Sequence, residues 1–274
     1  MKYNRNDWAN ALSLEERHLM TKAAVRILLL GYSPSETSLF EELASSGYHV
    51  HHSDDKNFDA SDFDLVVSYG YSHKILRNVL ENCSAPIINL HIGFLPWNRG
   101  AHPNFWSHWD NTATGVTIHE IDESIDTGPI ICQELVNLNI REETFESSYF
   151  ILREAVEKLF LRNIDNLIGR KYTTIRQRGR GSFHKKCELP SNFSGWNSNI
   201  LDEILRLERM NFNPQSSKLE LIDKIEQVRT NNNINWMNLL RVVAEVAPEK
   251  LSEITTKINE SDNLISSYFK QLGD

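Results

Sequence analysis

Asn89 and His91 stand two residues apart at the end of the apolar run Ile87-Ile88-Asn89-Leu90-His91, and Asp126 follows in the segment Asp122-Glu123-Ser124-Ile125-Asp126-Thr127-Gly128. If the run is a strand, its period of two sends both side chains from one face, where they can act on a common atom. An amide, an imidazole and a carboxylate are the parts of an acyl transfer. The imidazole takes the nucleophile's proton, the carboxylate orients it, and the neutral amide donates to the oxygen that gains charge.

The surrounding sequence predicts elements that would hold these groups. Val25 to Leu30 is a nearly continuous apolar run, the mark of a strand buried on both faces. After the loop GYSPSE come a helix through Phe40 and Leu43, a strand over Tyr48 to His51, a strand over Asp64 to Ser68, a helix over Ile75 to Leu80, and a strand over Ile87 to Leu90. Such alternation argues an α/β protein with a Rossmann-like, doubly wound, mostly parallel sheet. Ligands of these sheets bind outside the carboxyl ends of the strands, where Asn89 and His91 fall. The first loop lacks GxGxxG, which weakens a dinucleotide reading. Thr117 to His119 and Ile130 to Val136 read as further strands. Ser147 to Leu167 carries Phe150, Leu152, Val156, Leu159, Phe160, Ile164 and Leu167 at helical spacing and is expected to pack on the sheet.

Three regions are expected: a leading helix within 1–24, opened by the capping box Ser13-Leu14-Glu15-Glu16; a catalytic domain over 25–188; and a helical subdomain over 189–274. The last contains 9 Lys plus Arg and 12 Asp plus Glu in short amphipathic segments over 200–210, 217–228, 236–246, 248–258 and 264–272. A core of their own is the plain expectation for these segments, with a homodimer face as the alternative.

The segment from Ile88 to Gln133, with INLHIGFLPWNRGAHPNFW and then TGVTIHEIDESIDTGPIICQ, resembles the catalytic core of the 10-formyltetrahydrofolate-dependent formyltransferases. That family covers glycinamide ribonucleotide, methionyl-tRNA and amino-sugar formylation, and the similarity extends over about residues 25 to 175. The resemblance implies the formyltransferase fold and assigns the catalytic trio to Asn89, His91 and Asp126. It places the pterin of 10-formyltetrahydrofolate, the co-substrate, against the loop Tyr69 to Ile75, including Tyr71, His73 and Ile75, and against Ile121 and Asp122. Arg99, Gly100, His102 and Asn104, in the loop after Leu95-Pro96, become candidates for binding the acceptor. Two departures stand out: the family usually has serine where Gly93 stands and often proline where Ile92 stands. The WNRGAHPNFW wording is similar to that of amino-sugar formyltransferases of surface-polysaccharide pathways, such as those for O-antigen and lipopolysaccharide, which implies a nucleotide-linked amino sugar as acceptor.

Charge and composition weigh the competing acceptors. Against 29 Lys plus Arg the chain has 37 Asp plus Glu, a formal charge of −8, which disfavours a nucleic-acid partner. Methionyl-tRNA formyltransferases carry a basic β-rich C-terminal domain, whereas this tail is acidic and reads helical. Glycinamide ribonucleotide enzymes generally end soon after the core. A catalytically silent folate- or sugar-binding scaffold is the reading from another class, and the intact trio argues against it.

No metal is expected. Neither His49, His51 and His52 nor His91 with His102 and His119 supplies the tetrahedral set zinc prefers. Cys83, Cys132 and Cys187 are too scattered for a disulfide framework, so a reducing cytoplasm is expected. The charged N-terminus does not read as a signal peptide, and no run approaches the roughly eighteen apolar residues of a spanning helix. The stretch Arg170 to Lys186 holds seven Lys and Arg and no acid. It reads as a solvated loop or hairpin, or as local cations at a pocket mouth. Trp97, Phe105, Trp106 and Trp109 are expected to pack, with one of them against a sugar or base as the alternative.

Overall fold

The computed structural model describes Lys22, residues 24–211 and scattered positions between Met237 and Thr256. A six-stranded sheet forms the centre. Its strands are β1 (Arg26–Gly31), β2 (His49–Ser53), β3 (Leu65–Tyr69), β4 (Ile87–His91), β6 (Gly115–Glu120) and β7 (Ile130–Leu135), in the spatial order β2-β1-β3-β4-β6-β7. The first four run parallel, while β6 pairs antiparallel with β4 and β7 antiparallel with β6. The expected α/β architecture with a mostly parallel sheet is therefore present.

Alternation along the strands divides the core into two layers. Ile27, Leu29, Val67, Ile88, Leu90 and Ile118 face one side, where α4 (Phe145–Ile168) covers them with Leu152, Val156, Leu159, Phe160, Ile164 and Leu167. Each such fully buried side chain contributes about 1.5–3 kcal/mol. Thr144 caps α4 by accepting from the Ser147 N–H at 3.0 Å while Ser147 Oγ accepts from the Thr144 N–H at 2.9 Å. Leu39 and Leu43 of α1 (Leu39–Ser45) join the layer under α4, whereas Leu28, Leu30, Val66 and Ile87 face the other side beneath α2 (Arg77–Asn82), together with Ile75. Phe150 departs from the expectation: it is 56% exposed rather than packed on the sheet, because it falls outside the α4 stripe that the sheet covers.

The loop expected to carry Arg99, Gly100, His102 and Asn104 is ordered in two pieces. Arg99–Gly100 (β5) pairs in parallel with Phe183–His184 (β8), and Pro103–Trp109 forms α3 with proline in its first turn, where a missing N–H costs nothing. The basic stretch is consequently not a hairpin; its end is a strand laid against the loop that follows β4. Between Phe183–His184 and helix α5 (Ile200–Asn211) the chain passes through a 3₁₀ turn over Lys186–Glu188.

Residues 189–211 join the main unit. Contacts divide the chain after Asn211 rather than at 188, the boundary expected from the sequence. Ile200 and Leu207 of α5 share a buried cluster with Phe105, Trp106 and Phe145. The first amides of α4 are satisfied by this segment: Glu146 N–H donates to Trp196 O at 2.8 Å and Phe145 N–H to Ser198 O at 3.2 Å. The expected leading helix lies outside the described residues apart from Lys22, which is helical. So do the segments 217–228 and 264–272; the described positions of 236–258 are helical. No helix among the described residues is long and apolar enough to cross a membrane.

Leu207→Ala should lower the stability of the main unit by about 2–5 kcal/mol in urea unfolding, of the same order as the roughly 3–5 kcal/mol expected for Phe160→Ala in the sheet-facing core. An unfolding transition unmoved by Leu207→Ala would show that α5 does not belong to the main cooperative unit.

Candidate active site

Because Asn89 and His91 alternate with Ile88 and Leu90, they leave β4 on the α2 face of the sheet, away from the layer under α4. Antiparallel pairing sets His119 of β6 directly opposite Asn89. Asp126 reaches the same place from the turn before β7. Its backbone is left-handed, with φ 54°, a conformation that aspartate tolerates better than most residues. Gln177 holds that turn from outside: its Nε2 donates to Asp126 O and to Gly128 O, both at 2.8 Å. Gly128 is required because a Cβ there would lie 1.7 Å from Glu120 O.

The carboxylate of Asp126 is the hub of the site. Its Oδ2 accepts the Gly100 N–H at 2.8 Å and lies 3.7 Å from His91 Nδ1. Its Oδ1 accepts from Asn89 Nδ2 at 3.2 Å and lies 3.5 Å from His119 Nε2. Burial pushes its pKa up, but the His91 and His119 imidazoles and the Gly100 amide outweigh that and hold it well below the usual carboxylate range. Burial lowers the pKa of His91, and Asp126 opposes this only in part. Asp126 is therefore ionised and His91 neutral at pH 7.

Neighbouring carbonyls fix the tautomers. His91 Nε2 faces Asn98 O at 3.3 Å, so it carries the hydrogen and leaves the Nδ1 lone pair turned towards Asp126. His119 Nδ1 faces Glu120 O at 2.8 Å, which leaves its Nε2 to accept from Asn89 Nδ2 at 3.2 Å. Both amide hydrogens of Asn89 are thus engaged at rest. Gly93 leaves room for the His91 ring: a Cβ at this position would meet His91 Nε2 at 2.6 Å and Pro103 Cβ at 3.1 Å.

These groups line a cavity of about 910 Å³, towards the upper end of small-molecule sites. Asn89, His91 and Asp126 are brought together as expected, and Tyr71, His73, Ile75, Ile121 and Asp122 also line the cavity. Tyr71 donates its hydroxyl to Asp55 O at 2.7 Å, so it presents ring more than hydroxyl. The acceptor candidates separate. Gly100, His102 and Asn104 line the cavity, whereas Arg99 does not; its guanidinium donates to the carbonyls of Ser182 and Arg180 and fastens the basic stretch. Asn104 is buried and its amide is spent on Phe145 O at 2.8 Å and Ser148 Oγ at 2.9 Å, a tie between α3 and α4.

Several residues that build the site or its cavity escape a reading of the sequence. His119 sits in the strand alternation two residues after Thr117, a signal that becomes legible only once β6 is paired with β4. Gln177 is hidden among the cations of its stretch. Trp97 is buried, and so are Phe105 and Trp106, on whose cluster Trp109 packs. The tryptophan that lines the cavity is Trp196, from the region expected to be a separate tail. Of the basic stretch, only Lys186 reaches the lining. Among the described residues no group of three or more His, Cys, Asp or Glu is placed to hold a metal ion.

Comparison with known proteins agrees with this geometry. A family model described as Formyl transferase matches residues 30–164. The chain is 32% identical over 130 residues to a dTDP-4-amino-4,6-dideoxyglucose formyltransferase of Mycobacterium tuberculosis, covering 46% of this chain and 53% of that protein. It is 33% identical over 139 residues to a methionyl-tRNA formyltransferase of Thermodesulfovibrio yellowstonii, covering 50% of this chain and 44% of that one. The chain thus spans about half the length of the curated relatives it matches. Among solved structures it is similar to the formyltransferase PseJ from Anoxybacillus kamchatkensis, determined with UDP-4,6-dideoxy-4-formamido-L-AltNAc and tetrahydrofolate. The TM-score is 0.59 and the identity 35%, over 64% of this chain and 96% of PseJ. With that identity along almost the whole of PseJ, and a trio gathered on one carboxylate in a substrate-sized cavity, the chain belongs to the formyl transferase family.

Proposed function

We propose that this protein transfers a formyl group from 10-formyltetrahydrofolate to the primary amine of a nucleotide-linked amino sugar, in the cytoplasm, for a surface polysaccharide or glycan. One observation carries the reading: Asn89, His91 and Asp126 share a cavity wall with the loop Gly70 to Ile75 and with Ile121 and Asp122, so a donor and an acceptor can meet at the trio. The lining suits a flat, polar-edged heterocycle such as a pterin, since Ile75 and Ile121 contribute apolar side chains beside Asp122 and Ser68. The amino-sugar acceptor is supported by the nucleotide-sugar ligand of PseJ and by the name of the mycobacterial relative.

The donor, when bound, supplies a formyl group that is already activated, so no Lewis acid is called for. His91 Nδ1, the nitrogen not tied to a carbonyl, accepts the proton that the amine loses as it attacks. Asp126, 3.7 Å away, stabilises the imidazolium that results. When the tetrahedral carbon releases N10, the imidazolium returns that proton to the departing nitrogen, so that tetrahydrofolate leaves neutral and His91 is regenerated. Asn89 gives up one of its resting hydrogen bonds to donate to the formyl oxygen as charge gathers there. Exchange of this kind is expected where catalytic hydrogen bonds form fully only with substrate bound. General-base assistance is worth about 10² to 10⁴ in rate and one oxyanion donor about 10² to 10³; positioning within the cavity supplies the rest.

His91→Asn and Asn89→Ala should each reduce turnover by about 100-fold or more while folate binding stays within about twofold, because the lost terms act in the transition state. Single-turnover kinetics with a panel of nucleotide amino sugars checks this, and a rate within about twofold of the parent would remove the residue from the mechanism.

The pH dependence has a definite sign. Activity rises as His91 deprotonates, so the acid limb of kcat/KM lies below the ordinary histidine value, because burial lowers this pKa. Asp126 raises it; Asp126→Asn should therefore shift the limb to still lower pH while reducing turnover. A limb that stays in place would assign it to another group, such as the acceptor amine.

Gly93→Ser, which restores the residue usual in the family, should reduce turnover at least about tenfold without unfolding the protein, since the new Cβ drives the His91 ring from its place. Parallel measurements of rate and thermal unfolding separate displacement from loss of fold.

A further inference from the structure

Trp196 lies outside the residues matched by the family model, yet its indole is 40% exposed and forms part of the cavity wall. An exposed tryptophan on a slack loop would mean little, but this one is tightly held. Its carbonyl accepts the Glu146 N–H at 2.8 Å, and Ser198 N–H closes a turn onto Gly195 O at 3.1 Å. Two residues before it, Ser194 N–H donates to Glu203 Oε1 at 2.8 Å. Glu203 is itself buried and paired with Arg206, which in turn holds Asn192 O. Thus α5 clamps the segment 192–198 while the indole rests on Phe193 at 4.9 Å and on Phe145 at 6.4 Å. Both phenylalanines meet the indole edge to face, at 67° and 80°, so the ring is held without being covered.

A charge accompanies the ring. His102 lies 5.1 Å from Trp196, and the neighbouring Ala101 N–H donates to His184 O at 2.9 Å, which brings Lys186, two residues further on and also in the lining, to the same end of the cavity as the indole. That end is built by α3, the first turns of α4 and the segment 186–198. Ile75 and Ile121, in contrast, belong to the core layer on the α2 face of the sheet. The trio is tied to both regions, Asp126 through the Gly100 N–H two residues before His102 and Asn89 through its pairing with Ser68 at the end of β3.

We propose that Trp196 and Lys186 form the subsite for the nucleoside diphosphate of the acceptor, with the base against the indole and the phosphates beside the ammonium. The inference deepens the reading of formyl transfer to a nucleotide-linked sugar and rests on it for the identity of the acceptor. A fixed indole offers a preorganised face to any planar base, and stacking tolerates different bases. A Lys ammonium serves phosphate as a point charge. In an otherwise acidic protein, a cation at this end of the wall compensates for general repulsion of an anionic substrate, while Lys74 lines the cavity from the loop Gly70 to Ile75.

Calorimetry on the full chain tests the subsite without turnover, using UDP, dTDP, inorganic pyrophosphate and 5-formyltetrahydrofolate as probes. Trp196→Ala should weaken UDP and dTDP by about tenfold or more, Trp196→Phe by less than about threefold, and neither should change pyrophosphate or folate binding beyond about twofold. Lys186→Gln should weaken UDP, dTDP and pyrophosphate alike, by about three- to tenfold, and flatten their salt dependence. Trp196→Phe keeps packing on Phe193 and Phe145, so it remains informative if the alanine variant is unstable.

The proposal is overturned if the parent binds neither nucleotide, if Trp196→Ala binds both as the parent does, or if Trp196→Ala loses folate instead. Failure of the functional reading looks different. A parent that binds UDP or dTDP through Trp196 yet formylates no amino sugar would leave this subsite standing, whereas formylation and nucleotide binding that are both indifferent to Trp196 would remove the subsite alone.

Discussion

The site depends on one buried carboxylate. Asp126 is only 13% exposed at its side chain, and an ionised carboxylate taken out of water costs several kcal/mol unless charged or polar partners replace its hydration. Here the donors are the Gly100 amide of β5 and the Asn89 amide of β4, and the rings of His91, also on β4, and of His119 on β6 close the carboxylate in at 3.7 and 3.5 Å. The groups that satisfy Asp126 are the same groups that would handle a proton and an oxyanion. Stability of the charge and placement of the chemistry are therefore one requirement. It also explains why β5, β6 and the turn before β7 converge on the end of β4.

That requirement propagates outward through the backbone. Gly100 donates correctly because Arg99–Gly100 is pinned as a strand against Phe183–His184. The basic stretch thus serves the site through its backbone more than its charge, with Arg99 bonded to its carbonyls and Gln177 reaching back to the Asp126 turn. His184 is fixed in turn by Asp110 at 2.8 Å and by stacking on Trp106 at 3.9 Å. Since Trp106 belongs to the cluster that includes Ile200 and Leu207, the region after residue 188 is mechanically continuous with the loop that orients the carboxylate. The far helix α5 and the trio are joined by packed side chains and hydrogen bonds.

The cavity combines a shared floor with dissimilar walls. Its floor is drawn from the carboxyl end of the parallel strands, where βα loops are free to vary without disturbing the sheet. One wall comes from within the family-matched region and the other partly from residues 186–198 beyond it. A family that transfers one group to many acceptors can keep the first wall and change the second, since the reacting atoms need the same geometry whatever carries the amine.

The sequence by itself determined what depends on local pattern. Apolar runs and their period placed the strands and α4, because burial on one face or two leaves a signature every two or 3.6 residues. The spacing of Asn89 and His91 put both on one side of β4 for the same reason, and the motif around them identified Asp126. Tertiary structure decided whatever depends on elements distant in the chain. His119 became part of the cluster through antiparallel register, Gly93 through the approach of a ring, and Arg99 and Asn104 were drawn into structural ties by neighbours some forty to eighty residues away. Residues 189–211 read as a tail because an amphipathic helix shows that it must bury a face without showing what it buries that face against. Only the fold supplied the partners, Phe105, Trp106 and Phe145, and so brought Trp196 to the cavity.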